Sequence, residues 1–387
     1  MEAFKAFAGI NNRLPPERIH SLPTQTDPTC ELVTATNIDI DDSGRASRRA
    51  GQTLKVAGAS HSLWCDAICL CVQSGSLKQI NADYTTTTLA AGLNSDYVNY
   101  ERVNDRVYWS NGTQSGVIVD GVNRSWGMPV PNLPTVSKIS GNLSAGTYQY
   151  SMTTLRDGME SGAALAGTVE LTVGQGLRFT FTGNVALYVA EPNGTTLFQC
   201  ATSNTGTFDH IGGQLSLPLD TQWLDQPPAG QCLTEYRGRI YIASGAFIYA
   251  TTALGYELCD LRDYLSVDNS KIALLAGLEN GLLVGTEKGT YYLSGASLAE
   301  FSITIKGAAA IPRTLKLEDG QTVTGKAEYA GRKVALFTTT EGICLASPDG
   351  SVVNLTQERY DFTASGIGAA GFRNDTTLTQ YLLFLQN

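Results

Sequence analysis

The sequence predicts an all-β protein: a β-propeller of six or seven blades with an immunoglobulin- or fibronectin-like β-sandwich inserted into it. Three observations carry this. Apolar strand–turn–strand units recur every 40 to 50 residues, one interval of 133 residues breaks that rhythm, and only 16% of residues are charged in a chain containing 40 glycines. Four-stranded units at this spacing are the signature of propeller blades.

Five units read as hairpins: Ile68 to Ile80, Val107 to Val119, Arg239 to Thr251, Gly281 to Leu293 and Val334 to Ala346. Strand starts at 68 and 107 lie 39 apart, and those at 240 and 282 lie 42 apart. An earlier hairpin comes from alternating Ile38 and Ile40, followed by the turn residues Asp42-Ser43-Gly44. The strand Gln380 to Leu385 has no later partner and Ile38 has no earlier one, so pairing of first and last strands is expected to close the ring. Before the first hairpin, Pro15-Pro16 argues for an extended arm instead of helix. Ser270 to Gly277 is the one internal stretch with some helical character.

The long interval is fenced by Pro129, Pro131 and Pro134 at one end and Pro218, Pro227 and Pro228 at the other. Between them lie short alternating strands at Thr147 to Thr154, Gly167 to Val173, Arg178 to Thr182, Ala186 to Ala190 and Thr196 to Cys200. That is the pattern of a sandwich of about 100 residues. The predicted organisation is therefore 1–128 for the arm and first blades, 129–228 for the inserted sandwich, and 229–387 for the remaining blades and ring closure. Nearly half of the net charge of −9 falls in the insert, which has three basic residues against seven acidic ones.

Composition limits function. An acidic chain of pI near 4.9 is a poor phosphate-gripping surface, although an acidic wall lets DNA slide past without sticking. No secretory signal is read in Met1 to His20 and no run of about 18 apolar residues is present, so the expectation is a chain folded in a cytoplasm with no membrane-spanning segment.

No motif predicts chemistry. His61, Cys65, Cys69 and Cys71 do not make up a zinc set, and the eight cysteines read as small apolar core residues. Asp39, Asp41, Ser43 and Gly44 imitate the start of a calcium loop, but Ala50 stands where the bidentate Glu belongs. Gly366-Ile-Gly-Ala-Ala-Gly371 has the dinucleotide-binding spacing, yet the sequence has no room after it for the required helix, strand and acidic residue. Three histidines (20, 61 and 210) are scant material for acid–base work. Arg48-Arg49 and Arg237/Arg239 read as strand-edge ion pairs ahead of DNA contacts, and the sequons at Asn111, Asn123, Asn142, Asn193 and Asn354 as accidents of composition. The expectation is no enzyme, no catalytic residue, no cofactor and no metal.

The arm Gly9-Ile-Asn-Asn with Pro15-Pro-Glu-Arg18, the hairpin Ile40-Asp-Asp-Ser-Gly-Arg-Ala-Ser-Arg-Arg49, Tyr236-Arg-Gly-Arg-Ile-Tyr-Ile-Ala243 leading to Tyr249 to Tyr256, and Gly281 to Gly295 together resemble the tail nozzle proteins of short-tailed bacteriophages. These are also called packaged-DNA stabilisation or head-to-tail stopper proteins. The resemblance implies a propeller subunit of a homohexameric ring below the portal and adaptor. Tail fibres or spikes would be neighbours, and double-stranded DNA would be retained in, and later pass through, the channel without sequence-specific binding. The implied location is the virion tail, assembled in the host cytoplasm. A receptor- or glycan-binding propeller, with or without glycan cleavage, is the alternative. An aromatic platform with close carboxylates would mark it. Gate and subunit-contact residues are not legible in the sequence.

Overall fold

A computed structural model describes residues 6–19, 29–41, 43–361, 363–375 and 378–386. Five antiparallel four-stranded meanders form successive blades. Blade 1 comprises Ser60–Cys65, Cys69–Gln73, Ser76–Ile80 and Thr86–Ala91, and blade 2 comprises Asn99–Val103, Arg106–Ser110, Ser115–Val119 and Val122–Arg124. Blade 3 is Cys232–Tyr236, Arg239–Ser244, Phe247–Thr252 and Gly255–Ser266. Blade 4 is Ile272–Leu278, Gly281–Thr286, Thr290–Ser294 and Ser302–Gly307, and blade 5 is Lys316–Asp319, Lys333–Thr339, Gly342–Ala346 and Val352–Asn354. All five hairpins expected from the sequence are the second and third strands of these blades.

Blades stack face to face, and strand periodicity decides which side chain meets which neighbour. In blade 4, Leu275, Leu282 and Val284 pack with Tyr241 and Ile248 of blade 3. The interleaved Leu274, Ala276 and Leu283 pack with Phe337 and Cys344 of blade 5. Both faces are covered, so the strands read as continuous apolar runs. Leu70, Val72 and Leu77 meet Tyr100, Val107 and Trp109 between blades 1 and 2, and Tyr108, Val117 and Trp126 meet Leu233, Ile240 and Ile242 between blades 2 and 3. Ser270 to Gly277 is corrected by this packing: Ile272–Leu278 is a strand. Its Ala and Leu residues favour helix, but burial against two blades overrides propensity. Gly277 sits where an added Cβ would lie 2.2 Å from the Glu235 carbonyl oxygen, so the first strands of blades 3 and 4 approach only because it is glycine.

Beside blade 5 lie the terminal hairpins, each a two-stranded sheet of its own. Ile367–Asp375 pairs with Leu378–Gln386, while Ile38–Ile40 pairs with Ala46–Arg48. The C-terminal hairpin docks on blade 5 through Gly368 N–H to Pro312 O (3.0 Å) and Tyr381 Oη, which donates to Thr314 O (2.5 Å). The expected ladder between first and last strands is not the observed join: the two terminal hairpins remain separate sheets. The terminal segments are joined instead by Asn12 N–H to Arg359 O (3.0 Å) along the arm and by side chains at Asp39. Asp39, 6% exposed, accepts from Arg49 (2.8 Å), Arg373 (3.0 Å) and Gln380 (3.4 Å). The arm also departs from expectation. Ala6–Ile10 is extended and pairs in parallel with Thr29–Leu32, but Pro16–Ile19 makes one helical turn. Proline is tolerated there because the first helical residue needs no N–H partner.

Between blades 2 and 3 the chain builds a sandwich. Thr135–Leu143, Gln175–Thr180 and Thr207–His210 form one sheet. Gly146–Arg156, Val185–Ala190, Leu197–Ser203, Gly167–Leu171 and Met159–Glu160 form the other. Leu177 and Phe179 of the first pack on Tyr148, Met152 and Leu187 of the second. Arg124 pairs with Asp157, and Arg156 donates to the carbonyls of Ser125 (3.0 Å) and Gly127 (3.1 Å), fixing the sandwich to the end of blade 2.

The Asp39 cluster makes a prediction. Hydrogen bonding and charge from Arg49, then Arg373, hold the Asp39 carboxyl below its ordinary 3.8. Its stabilising contribution is therefore present above that value and is lost as pH falls through the depressed one. Asp39→Asn should cost about 2–3 kcal/mol at neutral pH and flatten the acid limb of a melting-temperature profile. An unchanged profile would mean that the terminal hairpins do not depend on this residue.

Candidate functional site

The first strands of blades 2, 3 and 4 lie side by side in direct sequence. At the end where these strands begin is a cavity of about 420 Å³, lined among others by Tyr97, Asn111, Gln231, Lys271, Pro312 and Arg313. Blades 2, 3 and 4, the Pro312-Arg313 connection ahead of blade 5 and Ile367 of the C-terminal hairpin all contribute. Arg313, at φ 67°, stacks its guanidinium 5.0 Å from the Tyr97 ring centroid across the mouth. Burial pushes the Tyr97 hydroxyl up, and the Arg313 charge opposes this. Gln231 is fully committed: its amide nitrogen donates to Gly245 O (2.8 Å) and Ile272 O (3.1 Å), and its oxygen accepts from Gly245 N–H (3.0 Å). With Asp96 and Glu287 beside Lys271 and Arg313, this mouth is polar and mixed in charge.

Further along these strands, Glu101 of blade 2 accepts a hydrogen bond from the Glu235 backbone of blade 3 and feels the charges of Lys333 on blade 5 and Asp66 on blade 1. Water reaches Glu101 in part, but protein surrounds it on every side. That desolvation, set against the attraction of Lys333, pushes its carboxyl up to about 7. On blade 5, burial also lowers Lys316 and raises Glu318.

The residues singled out in the sequence are dispersed into structural roles. Asp41 Oδ1 accepts from Ser43 N–H (3.0 Å), Ser43 Oγ (2.6 Å) and Arg45 N–H (2.9 Å), closing the hairpin turn. Asp39 is the terminal clasp. Gly366 to Gly371 enters a strand, with Gly368 against Thr314. Arg49 is bound to Asp39, Arg239 donates to Thr251 O (2.8 Å), and Arg237 stacks on Tyr236 at 5.3 Å. Asn123 accepts from Trp109 Nε1 (2.7 Å), and Asn111 caps its own turn through Gln114 N–H (2.7 Å).

Cysteines 65 and 69 depart from the expectation of small apolar core residues: directly opposite across the hairpin of blade 1, they form a disulfide. Cys71 is buried as expected. His61 Nδ1 and Ser62 Oγ lie 2.8 Å apart, but Ser62 is buried and accepts from Val98 N–H (2.8 Å), so this pair ties a bulged strand to blade 2. His210 is buried in the sandwich, and His20 lies outside the described residues. Among the described residues no three His, Cys, Asp or Glu side chains are grouped to hold a metal, and no helix is long and apolar enough to cross a membrane.

Two apolar patches stand out, one on the outer strands of blade 3 and one on the outermost strand of blade 4. Phe247 and Tyr264 form an edge-on pair 5.0 Å apart, Tyr249 lies 6.0 Å from Tyr264, and Arg262 stacks on Trp223 at 5.2 Å. On the outermost strand of blade 4, Ile303 and Ile305 are exposed, the latter by 73%. Sequence reasoning missed this surface. Its signal was the uncharged alternation Ser302-Ile-Thr-Ile305 in a strand with no later partner.

No protein-family model matches the sequence, and no curated protein does. Among solved structures, Saccharomyces cerevisiae Sqt1 is similar over 76% of this chain and 68% of its own, at 11% identity and TM-score 0.27. A nidogen/laminin complex chain is similar over 76% and 95%, at 13% identity and TM-score 0.24. PorZ of Porphyromonas gingivalis, a component of the type-IX secretion system, is similar over 86% of this chain and 52% of its own, at 13% identity and TM-score 0.22. Scores this low carry no functional argument, and the propeller assignment rests on the blade topology above.

Glu101 offers a test of this arrangement. A carboxyl raised in the folded state stabilises fully below its unfolded value, and that contribution is lost as pH rises through the folded one, here about 7. Glu101→Gln should therefore melt higher than the parent at pH 8, with the difference shrinking as pH falls toward 5. Equal melting curves at both pH values would place Glu101 outside a confined setting.

Proposed function

We propose that this chain is the structural subunit of the tail nozzle of a short-tailed bacteriophage. It would assemble as a homohexamer below the portal and adaptor and retain packaged DNA until ejection. The observation that carries the reading, beside the chain-long motif resemblance, is the open outer edge of blades 3 and 4. A propeller normally protects its strand edges, yet here Ile303 and Ile305 lie on an outermost strand with no charge before Lys306. On blade 3 and the chain returning to it, Phe247, Tyr249, Tyr264, Trp223 and Arg262 are the residue types that dominate interface energetics.

In this reading each subunit presents that edge to its neighbour, and sixfold repetition turns one short loop into a constriction. The acidic balance of the chain favours passage of DNA over adhesion. The Cys65–Cys69 disulfide suits a protein that spends time outside the reducing host cytoplasm, as a virion does. The role needs no catalysis.

Particles assembled without this protein should package DNA and then leak it, and purified protein added before leakage should retain it. Ile305→Lys should leave the melting temperature within about 0.5 kcal/mol equivalent of the parent, as surface substitutions do, yet abolish retention and the hexameric ring seen by electron microscopy on adaptor-bearing particles. Full retention without the protein would overturn the assignment.

A further inference from the structure

The first strand of blade 1 is held differently from its counterparts. In Cys232–Tyr236 and Ile272–Leu278, the first strands of blades 3 and 4, every residue but one is buried, whereas in Ser60–Cys65 only Ser62 is. Leu63 is 60% exposed. The ladder to Cys69–Gln73 is also broken: Ser60 and His61 face Gln73 and Val72, the register then shifts, and only Trp64 and Cys65 pair again, with Leu70 and Cys69. A strand with little burial and an interrupted ladder opens at low cost.

The Cys65–Cys69 disulfide fastens the end of that strand. Cys65 is exposed and Cys69 half-buried, so a thiol in solution reaches the bond from the Cys65 side. Other cysteines do not compete. Five of the remaining six are buried, and burial pushes the thiols of Cys71, Cys200, Cys232, Cys259 and Cys344 up, away from the reactive thiolate form. The turn that the bond closes carries Asp66, whose carboxylate accepts from Arg102 of blade 2 (3.3 Å), and Trp64 just before it stacks on Tyr100 at 5.7 Å. The bond therefore also steadies two contacts to the first strand of blade 2.

We infer that Cys65–Cys69 is a redox switch, which locks the first strand of blade 1 when oxidised and releases it when reduced by a thiol of the glutathione or dithiol-reductase class. The reductant thiolate attacks Cys65 Sγ, the S–S bond breaks, and Cys69 leaves as a thiolate that takes up a proton. A second reductant thiolate then attacks the reductant sulfur of the mixed disulfide and frees Cys65. Two electrons and two protons pass from two reductant thiols to the cysteines, and the reductant departs as its own disulfide. The rest of the blade stays in place, because Leu70, Val72 and Leu77 remain packed on Tyr100, Val107 and Trp109. The inference concerns a single chain and does not rest on the nozzle reading, so either can fail alone.

The test equilibrates the full chain in glutathione buffers of graded ratio, counts reactive thiols by alkylation and mass spectrometry, and follows hydrogen exchange on peptides covering 58–74. Only cysteines 65 and 69 should become alkylated as the buffer turns reducing. Exchange at 60–66 should then quicken about ten- to thirtyfold, the effect of opening a five-residue ring, while blades 3 and 4 keep their rates. The double variant Cys65→Ser, Cys69→Ser should show the fast rate in every buffer, and Cys71→Ser should keep the switch. Alkylation of 65 and 69 in oxidising buffer, a bond that reduced glutathione never opens, or equal exchange at 60–66 in both states of the parent chain would overturn the inference.

Discussion

A propeller blade is stable only between two neighbours, and the structure depends on how its chain satisfies that condition at the seam. Blades 1 to 5 follow one another and cover each other's faces, but the first and last elements have to meet from opposite ends of the sequence. Asp39 makes one part of that junction. A carboxylate on a three-residue strand binds Arg49 within its own hairpin and Arg373 and Gln380 on the C-terminal one. A strand ladder would spread closure over many backbone bonds. Here the terminal segments are tied at two places: at Asp39, where loss of one partner leaves a nearly buried charge uncompensated, and along the arm, where Asn12 N–H donates to Arg359 O (3.0 Å) and the Asn12 side chain exchanges hydrogen bonds with the Asp361 backbone (2.6 and 2.7 Å).

The parts legible in the sequence were those in which local pattern and burial coincide. Second and third strands of the blades, such as Gly281–Thr286 and Thr290–Ser294, are bounded by turn residues and buried on both faces, so their apolar runs are unmistakable. First strands lack a turn before them, and Ile272–Leu278 carries helix-forming residues, so it imitates helix until two blades enclose it. Fourth strands fail for the opposite reason. Thr86–Ala91 and Ser302–Gly307 face water and carry little apolar signal. Proline at both ends marked the insert because a chain leaving one blade and returning to the next must turn sharply twice.

Sites were less legible than strands because they join residues far apart in sequence. Arg106 and Glu257 are 151 residues apart, and Thr221 reaches the cavity they line, between the insert and blades 2 and 3, from the end of the insert. Glu101 has an ordinary sequence context, and only the closing of blades around it changes its acidity. Conversely, the motifs that looked chemical by spacing dissolve into turns and close packing, as in the Asp41 oxygen consumed by Ser43 and Arg45.

The outer strand of blade 3, Gly255–Ser266, links these separate features. Its register shifts opposite Thr251, and at Cys259 it pairs with Asp225 through two 2.9 Å backbone bonds as the chain returns from the sandwich. Before that point the strand holds Tyr256 and Glu257 against the insert. Beyond it, Leu261 and Tyr264 face outward beside Phe247. The register shift and the Asp225 bridge divide this strand into a segment held against the insert and a segment that bears the exposed aromatic pair.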